Sequence, residues 1–108
     1  MKNYKRIFDS KYFDQIIQKR RYRNSKSFTI YFKNKEKEHS RYGIAVSKKL
    51  GNAVVRNKTK RQIRNMLREI DKESHKYDYI IMIRREYFNK SFEENQKDLE
   101  NSLKTVKM

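Results

Sequence analysis

The sequence of 108 residues has no cysteine, no proline and only two glycines. Without cysteine there is no disulfide, no thiolate metal site and no cysteine nucleophile, a composition that fits a reducing compartment. Two glycines cannot make a glycine-rich phosphate loop. No apolar run approaches the roughly 18 residues of a membrane span, and the N-terminal residues lack the apolar run of a signal peptide. We therefore expect a cytoplasmic protein with no membrane contact.

Acidic residues are also scarce relative to basic ones. The chain has 29 Lys and Arg against 13 Asp and Glu, which gives a formal net charge of +16 at pH 7. This balance favours a nucleic acid or an anionic membrane surface as partner and says little about fold. Charged residues make up 39% of the chain, close to disordered composition, but 13% aromatic residues and repeated apolar periodicities indicate folding. We expect residues 1–108 to form a single domain.

The apolar spacing predicts a helix, two or three strands, a helix, a strand and a final helix. The predicted elements are a helix at about 9–20, strands at 28–32 and 41–48, a helix at about 53–72, a strand at 77–83 and a helix from about 92. The polar run 34–40 is predicted to be a loop joining two antiparallel strands. The continuous apolar stretch in 77–83 predicts a central strand buried on both sides. This order is typical of an α+β sandwich with one sheet and helices against it.

Polar residues mark the predicted helix starts. Asp9 and Asn52 can each cap a helix, and Ser91 with Glu94 forms a capping box. Each helix then carries an apolar stripe at spacings of three and four, which should face the core. The stripes are Tyr12, Phe13, Ile16 and Ile17 in the first helix, Val55, Thr59, Ile63, Leu67 and Ile70 in the second, and Phe92, Leu99, Leu103 and Val106 in the last.

Residues 41–68 contain nine Lys and Arg and no Asp or Glu. So much like charge on one packed element costs folding energy, which a polyanion would offset. Arg guanidinium forks match phosphate oxygens, and Asn57 can both donate and accept at a base edge or ribose. A solvated basic face is the alternative interpretation, but such faces usually mix signs, and this one has no acid before Glu69. The pattern favours a surface that binds a nucleic acid backbone.

Residues 46–64, VSKKLGNAVVRNKTKRQIR, closely resemble the signature of the protein subunit of bacterial ribonuclease P. That signature is a strand ending in SKK followed by GNAV-x-RN-R-x-KR-x-x-R. The aromatic-bearing first helix, the strand near Phe28, the DYIIMIRR strand and the closing helix also follow the family's order. The resemblance implies an α-β-β-β-α-β-α two-layer sandwich with one sheet and a left-handed β-α-β crossover, the uncommon hand for such a connection.

The resemblance also implies that the basic helix contacts the catalytic RNA. Matched positions assign RNA binding to Arg56, Asn57, Lys58, Lys60, Arg61, Arg64 and Arg68, with Lys48 and Lys49 at the edge of the surface. One position departs from the family, since Lys58 stands where a second Arg is usual. Lysine keeps the charge but loses the planar fork of arginine.

Aromatic residues form a second candidate site. Phe13 on the first helix and Tyr31 on the first strand could line a groove in which bases of single-stranded RNA stack, or both rings could simply be core. In the family this cleft takes the 5′ leader of precursor tRNA, and both positions match its aromatic sites. Ile17 stands at a neighbouring family position that is often aromatic.

The resemblance implies an accessory subunit of an RNA-based endonuclease that removes the 5′ leader from precursor tRNA. The RNA subunit would supply the active site and hold the Mg²⁺ ions, and we expect one protein per RNA. No residue of this chain is predicted to be catalytic or to ligate a metal. Two other hypotheses stay open: a small ribosomal-type protein that binds ribosomal RNA, and a self-sufficient nuclease using an acid such as Asp78. His39 and His75 have no partner at metal-ligand spacing.

Overall fold

Three helices and four strands follow one another in the predicted order α-β-β-β-α-β-α. The structure, a computed structural model, describes residues 5–7, 9–70 and 76–106. The elements are α1 (Ser10–Gln18), β1 (Tyr22–Asn24), β2 (Phe28–Asn34), β3 (Tyr42–Ala45), α2 (Ala53–Ile70), β4 (Tyr77–Ile83) and α3 (Phe92–Val106). Short 3₁₀ segments lie at Lys48–Leu50 and Arg85–Asn89. The α+β class and the order of elements are confirmed.

The four strands form one sheet in the order β1-β2-β4-β3. β4 is antiparallel to β2 and parallel to β3. Loop 34–40 therefore joins strands that run in opposite directions but are not neighbours, because β4 inserts between them. α2 is the connection between the parallel strands β3 and β4, as a β-α-β crossover requires. The left hand of this crossover stays a prediction.

β4 is the central strand, as its continuous apolar sequence predicted. Every residue from Tyr77 to Ile83 is buried except Met82, which is half-buried. Side chains of a strand alternate between the two faces of the sheet, so both faces beside β4 need cover. On one face, Tyr79 and Ile81 join the core formed with α2 and α3. On the other face, Ile80 packs with Tyr12 and Ile16 of α1.

The sheet thus has helices on both faces. The sheet and the α2–α3 layer are the two predicted layers, with Ile63 and Leu67 of α2 and Leu99 and Leu103 of α3 fully buried between them. α1 adds a helix on the opposite face, where it is required because Ile80 of β4 is fully buried there. Among the described residues, no helix combines the length and the apolar character needed to cross a bilayer.

The predicted helix caps are present. Asp9 Oδ1 accepts a hydrogen bond from the backbone N–H of Lys11 at 2.9 Å, and Asn52 Oδ1 accepts one from Val55 at 3.0 Å. In the capping box, Ser91 and Glu94 each accept from the other's backbone N–H at 3.2 Å. These bonds satisfy donors that the first helical turn leaves unpaired. The predicted end of α2 near residue 72 lies outside the described residues.

Several boundaries differ from the prediction. α1 ends at Gln18, and Arg20 takes a left-handed conformation (φ 55°) that turns the chain toward β1. The strand predicted over 41–48 ends at Ala45, because Ser47 caps the 3₁₀ segment by accepting from the N–H of Lys49 at 3.2 Å.

Three side chains of the helices also depart from the predicted apolar stripes. Phe92 is 38% exposed, since it is the first residue of α3 and lies at the edge of the core. Asn95, one turn later, is buried instead: its side chain accepts from Ser27 Oγ at 2.6 Å and donates to the carbonyl of Tyr87 at 3.0 Å. Met66 of α2 is fully buried although the stripe omitted it.

Candidate nucleic-acid interface

α1 is fixed to the sheet by a buried polar cluster. The Tyr12 hydroxyl donates to Asp78 Oδ2, and Asp78 also accepts from the backbone N–H of Arg41 at 2.8 Å and from Arg41 Nη2 at 3.2 Å. Asp78 is fully buried, so these charge-assisted bonds offset the cost of removing its carboxylate from water. Burial, and secondarily the bond to Asp78, raises the pKa of Tyr12. The cluster sets where the next residue, Phe13, lies on the sheet.

The sheet face below α1 carries one row of side chains across all four strands. In the strand register, Tyr22 of β1 lies opposite Tyr31 of β2, Tyr31 opposite Ile80 of β4, and Ile80 opposite Gly43 of β3. The Tyr22 and Tyr31 rings lie 5.3 Å apart, tilted by 43°. α1 packs against β2 and β4 in this row, and Tyr22 stays 48% exposed.

The three predicted cleft residues lie in one cluster. Phe13, Ile17 and Tyr31 are each partly buried and pack against the group formed by Tyr12, Ile16 and Ile80. Each therefore combines core packing with an accessible part, as a stacking platform must. We call the surface formed by Phe13, Ile17, Tyr31 and Tyr22 the aromatic cleft.

Tyr22 extends this cleft and was missed from the sequence. It lies in β1, whose three residues Tyr-Arg-Asn show no apolar alternation from which a strand could be predicted. Two cations also lie on this side of the molecule. Lys19 and Lys33, with Gln15 and Gln18, line a shallow cavity of about 410 Å³ between α1 and β2.

α2 displays the predicted basic side in two adjacent rows. Residues one turn apart on a helix lie above one another, which places Arg56, Lys60 and Arg64 in one row. Asn57, Arg61 and Arg68 form the next row and are all exposed, whereas the first row is half-buried. Because α2 is continuous over Ala53–Ile70, these positions are held rigidly. We call these six residues the basic face.

The predicted lysines lie around this face. Lys48 and Lys49 are exposed in the 3₁₀ segment that precedes α2. Lys58 is exposed on the other flank of the helix, where it lines a groove shared with Phe88 and Phe92. The structure therefore places Lys58 apart from the rows of the basic face.

Arg64 occupies an unusual environment. Its Nε is buried and has no hydrogen-bond partner among the described residues. Burial, followed by the charge of Arg6, lowers the pKa of Arg64. Arg6 reaches this place because the N-terminal segment pairs with the edge of β3, where the N–H of Ile7 donates to the carbonyl of Tyr42 at 3.0 Å. Burial and the neighbouring like charge both disfavour the charged form of Arg64.

The ion pairs among the described residues leave the basic face out. The ion pairs found in the described ranges join Lys33 and Arg41 to Glu36, Arg41 to Asp78, and Lys104 to Glu100. None of these involves a cation of α2, so within those ranges the predicted one-signed pattern persists in three dimensions.

The described acids also bear on the hypothesis of a self-sufficient nuclease. Within residues 5–7, 9–70 and 76–106, no three His, Asp or Glu side chains converge as ligands of a metal would. Asp78, the acid named for a self-sufficient nuclease, is buried and bonded through both oxygens to Tyr12 and Arg41. His39 is half-buried, and His75 lies outside the described residues.

Comparison with known proteins gives the same picture along the whole chain. The family model named Ribonuclease P matches residues 1–107. The ribonuclease P protein component of Mesoplasma florum is 45% identical over 101 residues, which cover 92% of each chain. That of Streptococcus gordonii is 38% identical over 108 residues and covers 100% of this chain and 91% of the relative.

Solved structures agree with the sequence matches. The ribonuclease P protein of Staphylococcus aureus superposes with a TM-score of 0.86 at 36% identity, over 95% of both chains. The Thermotoga maritima protein superposes with a TM-score of 0.82 at 26% identity, over 93% of this chain and 96% of the other. Sequence, fold and topology thus agree over nearly the full length, and the chain belongs to the ribonuclease P protein family.

Proposed function

We propose that this ribonuclease P protein binds the RNA subunit through the basic face and holds the 5′ leader of precursor tRNA in the aromatic cleft. The observation that carries the proposal is the basic face itself, which the described acids leave without ion pairs. Each phosphate neutralised there releases counterions, a favourable term that depends on salt.

The cleft fits a single strand better than a duplex. Its rings lie in a row that follows the sheet from Tyr22 to Tyr31 and continues to Phe13 above Gly43. Unpaired bases can stack on such rings, whereas bases within a duplex are already stacked on one another. Lys19 and Lys33, on the same side, could contact the backbone of the strand. These features support a leader-binding role.

In this proposal the chemistry belongs to the RNA subunit. The holoenzyme would hydrolyse one phosphodiester to release the leader, and Mg²⁺ ions, held mainly by the RNA, would supply the Lewis acidity for the attacking water and the leaving oxygen. The protein neutralises phosphates so that the RNA folds with less metal, and it raises substrate affinity through the leader. One protein per RNA and a cytoplasmic location stay predictions.

The rival hypotheses are less well supported. A ribosomal-type RNA-binding protein would explain the charge of α2 but not the family match over residues 1–107. A self-sufficient nuclease would need a free acid, and Asp78 is engaged by Tyr12 and Arg41. Reconstitution separates the three: the full chain with the RNA subunit should cleave precursor tRNA at low Mg²⁺, and cleavage by the protein without RNA would contradict the proposal.

The cleft is tested by Tyr31→Ala in the reconstituted holoenzyme. Loss of one stacked base should reduce affinity for leader-bearing tRNA by roughly 1–3 kcal/mol. Tyr31→Phe is the matched control, since it keeps the ring and should bind nearly as the native chain does. Affinity for mature tRNA, which has no leader, should barely change. Equal losses for both tRNAs would show that Tyr31 does not contact the leader.

A further inference from the structure

A second aromatic site lies on the flank of α2, away from the aromatic cleft. In the described part of the chain, the large apolar residues that stay exposed are Tyr22, Val54, Phe88 and Phe92. Phe88 is 41% and Phe92 38% exposed, and both line one groove of about 270 Å³. Single exposed apolar residues are ordinary, but two phenylalanines facing a common groove indicate a binding site. We call this the Phe88–Phe92 groove.

The walls of the groove are held rigidly from behind. Tyr87, which is buried, donates through its hydroxyl to Gln62 Oε1 of α2 at 2.8 Å. The carbonyl of Tyr87 accepts from the buried side chain of Asn95 at 3.0 Å. The Phe88 ring lies edge-on to Tyr87, with centroids 5.5 Å apart and planes at 75°. The groove is therefore preformed, and binding there would require little ordering of side chains.

The charge of the groove suits an anion. Its lining contains Lys58 of α2 and Lys90 before α3, with no Asp or Glu among the residues that form it. Glu93 and Glu94 follow Phe92 along the chain but do not line the groove, and Glu94 is held in the capping box with Ser91. Gln62, whose Oε1 accepts from the Tyr87 hydroxyl, is a neutral polar residue of the lining.

We propose that the Phe88–Phe92 groove binds an unpaired base of the RNA subunit, stacked on a phenylalanine ring, with flanking phosphates on Lys58 and Lys90. The proposal rests on the proposed function, because it requires RNA along α2. A stacked base uses an aromatic face irrespective of its identity, and phosphates on both sides match the two lysines. It also explains why Lys58 lies apart from the basic face.

A nucleic acid fits the groove better than a protein does. At about 270 Å³ the groove is smaller than the roughly 300–1,000 Å³ sites that enclose a drug-sized ligand, and this volume suits one ring system. A second copy of this chain would bring another net charge of +16 to a site that already carries two lysines. Like-charge repulsion disfavours that pairing, whereas RNA is attracted.

The test compares two double variants in binding to the RNA subunit. Phe88→Leu with Phe92→Leu keeps apolar bulk but removes the rings, and Phe88→Tyr with Phe92→Tyr keeps the rings. The leucine variant should lose roughly five- to 100-fold in affinity, the scale of one lost stacked base, and the tyrosine variant should lose little. The leucine variant should keep the native salt dependence because no charge changes, whereas Lys58→Ala should flatten it by about one counterion.

Photocrosslinking tests the site in the native chain, so it does not depend on any variant folding. An RNA subunit substituted with 4-thiouridine should crosslink to the peptide that carries Phe88 and Phe92. Absence of that crosslink, native affinity of the leucine variant, or equal losses by both double variants would overturn the proposal. Arg61→Ala distinguishes the groove proposal from the proposed function. If Arg61→Ala weakens binding and the leucine variant does not, only the groove proposal is wrong. If neither variant weakens binding, both proposals are wrong.

Discussion

Gly43→Ala should disturb the aromatic cleft without touching the basic face. Gly43 lies in β3 directly beneath the first helix, where only a hydrogen fits. A methyl group added there would lie 2.7 Å from Ile80 Cδ1 and 2.8 Å from Phe13 Cε2. Favourable contacts between carbon atoms are about 3.5–4.0 Å, so each neighbour would have to retreat by roughly 1 Å.

The size of the effect of Gly43→Ala depends on which neighbour of the added methyl group, Ile80 or Phe13, can move. Ile80 is fully buried in the centre of the sheet, whereas Phe13 is partly exposed at its surface. Phe13 should therefore be displaced more, and the overpacking should cost about 1–3 kcal/mol of folding stability. Leader affinity should fall by part of the roughly 1–3 kcal/mol that one stacked base contributes. Affinity for the RNA subunit should stay native, because the side chains of the basic face do not contact Gly43.

Chemical denaturation measures the stability of Gly43→Ala, and binding of leader-bearing against mature tRNA measures the cleft. Ile80→Val provides the matched control, since it removes the Cδ1 methyl that the new methyl group would meet. Alone, Ile80→Val should cost about 0.5–1.5 kcal/mol. In the Gly43→Ala background, Ile80→Val should cost less stability than it does alone, or should even restore stability. The reason is that contacting residues couple by roughly 0.5–3 kcal/mol.

Two results would refute this reasoning. If the changes in unfolding free energy of Gly43→Ala and Ile80→Val simply add in the double variant, the added methyl group and Ile80 Cδ1 do not meet. An equal loss of affinity for the RNA subunit and for leader-bearing tRNA would show that the substitution acts on the whole fold and not on Phe13.

Three further predictions concern other parts of the molecule. Arg61→Ala should weaken binding to the RNA subunit and flatten its salt dependence by about one counterion, and an unchanged slope in a salt titration would mean that Arg61 contacts no phosphate. Tyr12→Phe should lower the free energy of unfolding by about 1.5–3 kcal/mol, because Asp78 loses a charge-assisted hydrogen bond; denaturation at neutral pH that matches the native chain would contradict this. Burial raises the pKa of Tyr87 from 10.0 to about 12. The neutral Tyr87 side chain therefore makes its full contribution to the free energy of unfolding below pH 10, and this contribution is lost as the pH rises through 12. Tyr87→Phe should therefore lose less stability between pH 9 and 12 than the native chain, and equal losses would count against that shift.

Most of the fold could be predicted because its signals are local. Asp9, Asn52 and the Ser91–Glu94 box fix helix starts through bonds within three residues. The uninterrupted apolar run of β4 required a central strand, and the structure places it between β2 and β3. Local patterns do not determine which strands pair when they are distant in the sequence. The neighbours of β3 could therefore be assigned only from the three-dimensional structure.

The basic face could be predicted because a helix converts spacing directly into position. Arg56, Lys60 and Arg64 lie one turn apart in the sequence and therefore in space. The aromatic cleft required a family resemblance, since Phe13 and Tyr31 meet only through the packing of α1 on the sheet. Tyr22 and Arg6 were missed because their places depend on long-range pairing, of β1 with β2 and of the N-terminal segment with β3.

β3 explains how one small domain can serve two RNA strands in the proposed holoenzyme. Neighbouring residues of a strand face opposite sides, so Gly43 lies beneath Phe13 of the cleft while Tyr42 is buried in the core formed with α2 and α3. Tyr42 also stacks on Tyr79 of β4, with ring centroids 5.5 Å apart and planes at 14°. The cleft and α2, the helix proposed to bind the RNA subunit, are thus fixed to the same strand, and the distance between them does not depend on a flexible linker. In the proposed holoenzyme, a leader held in the cleft would be positioned relative to the RNA subunit by the sheet itself, and the protein would in this way contribute to where cleavage occurs.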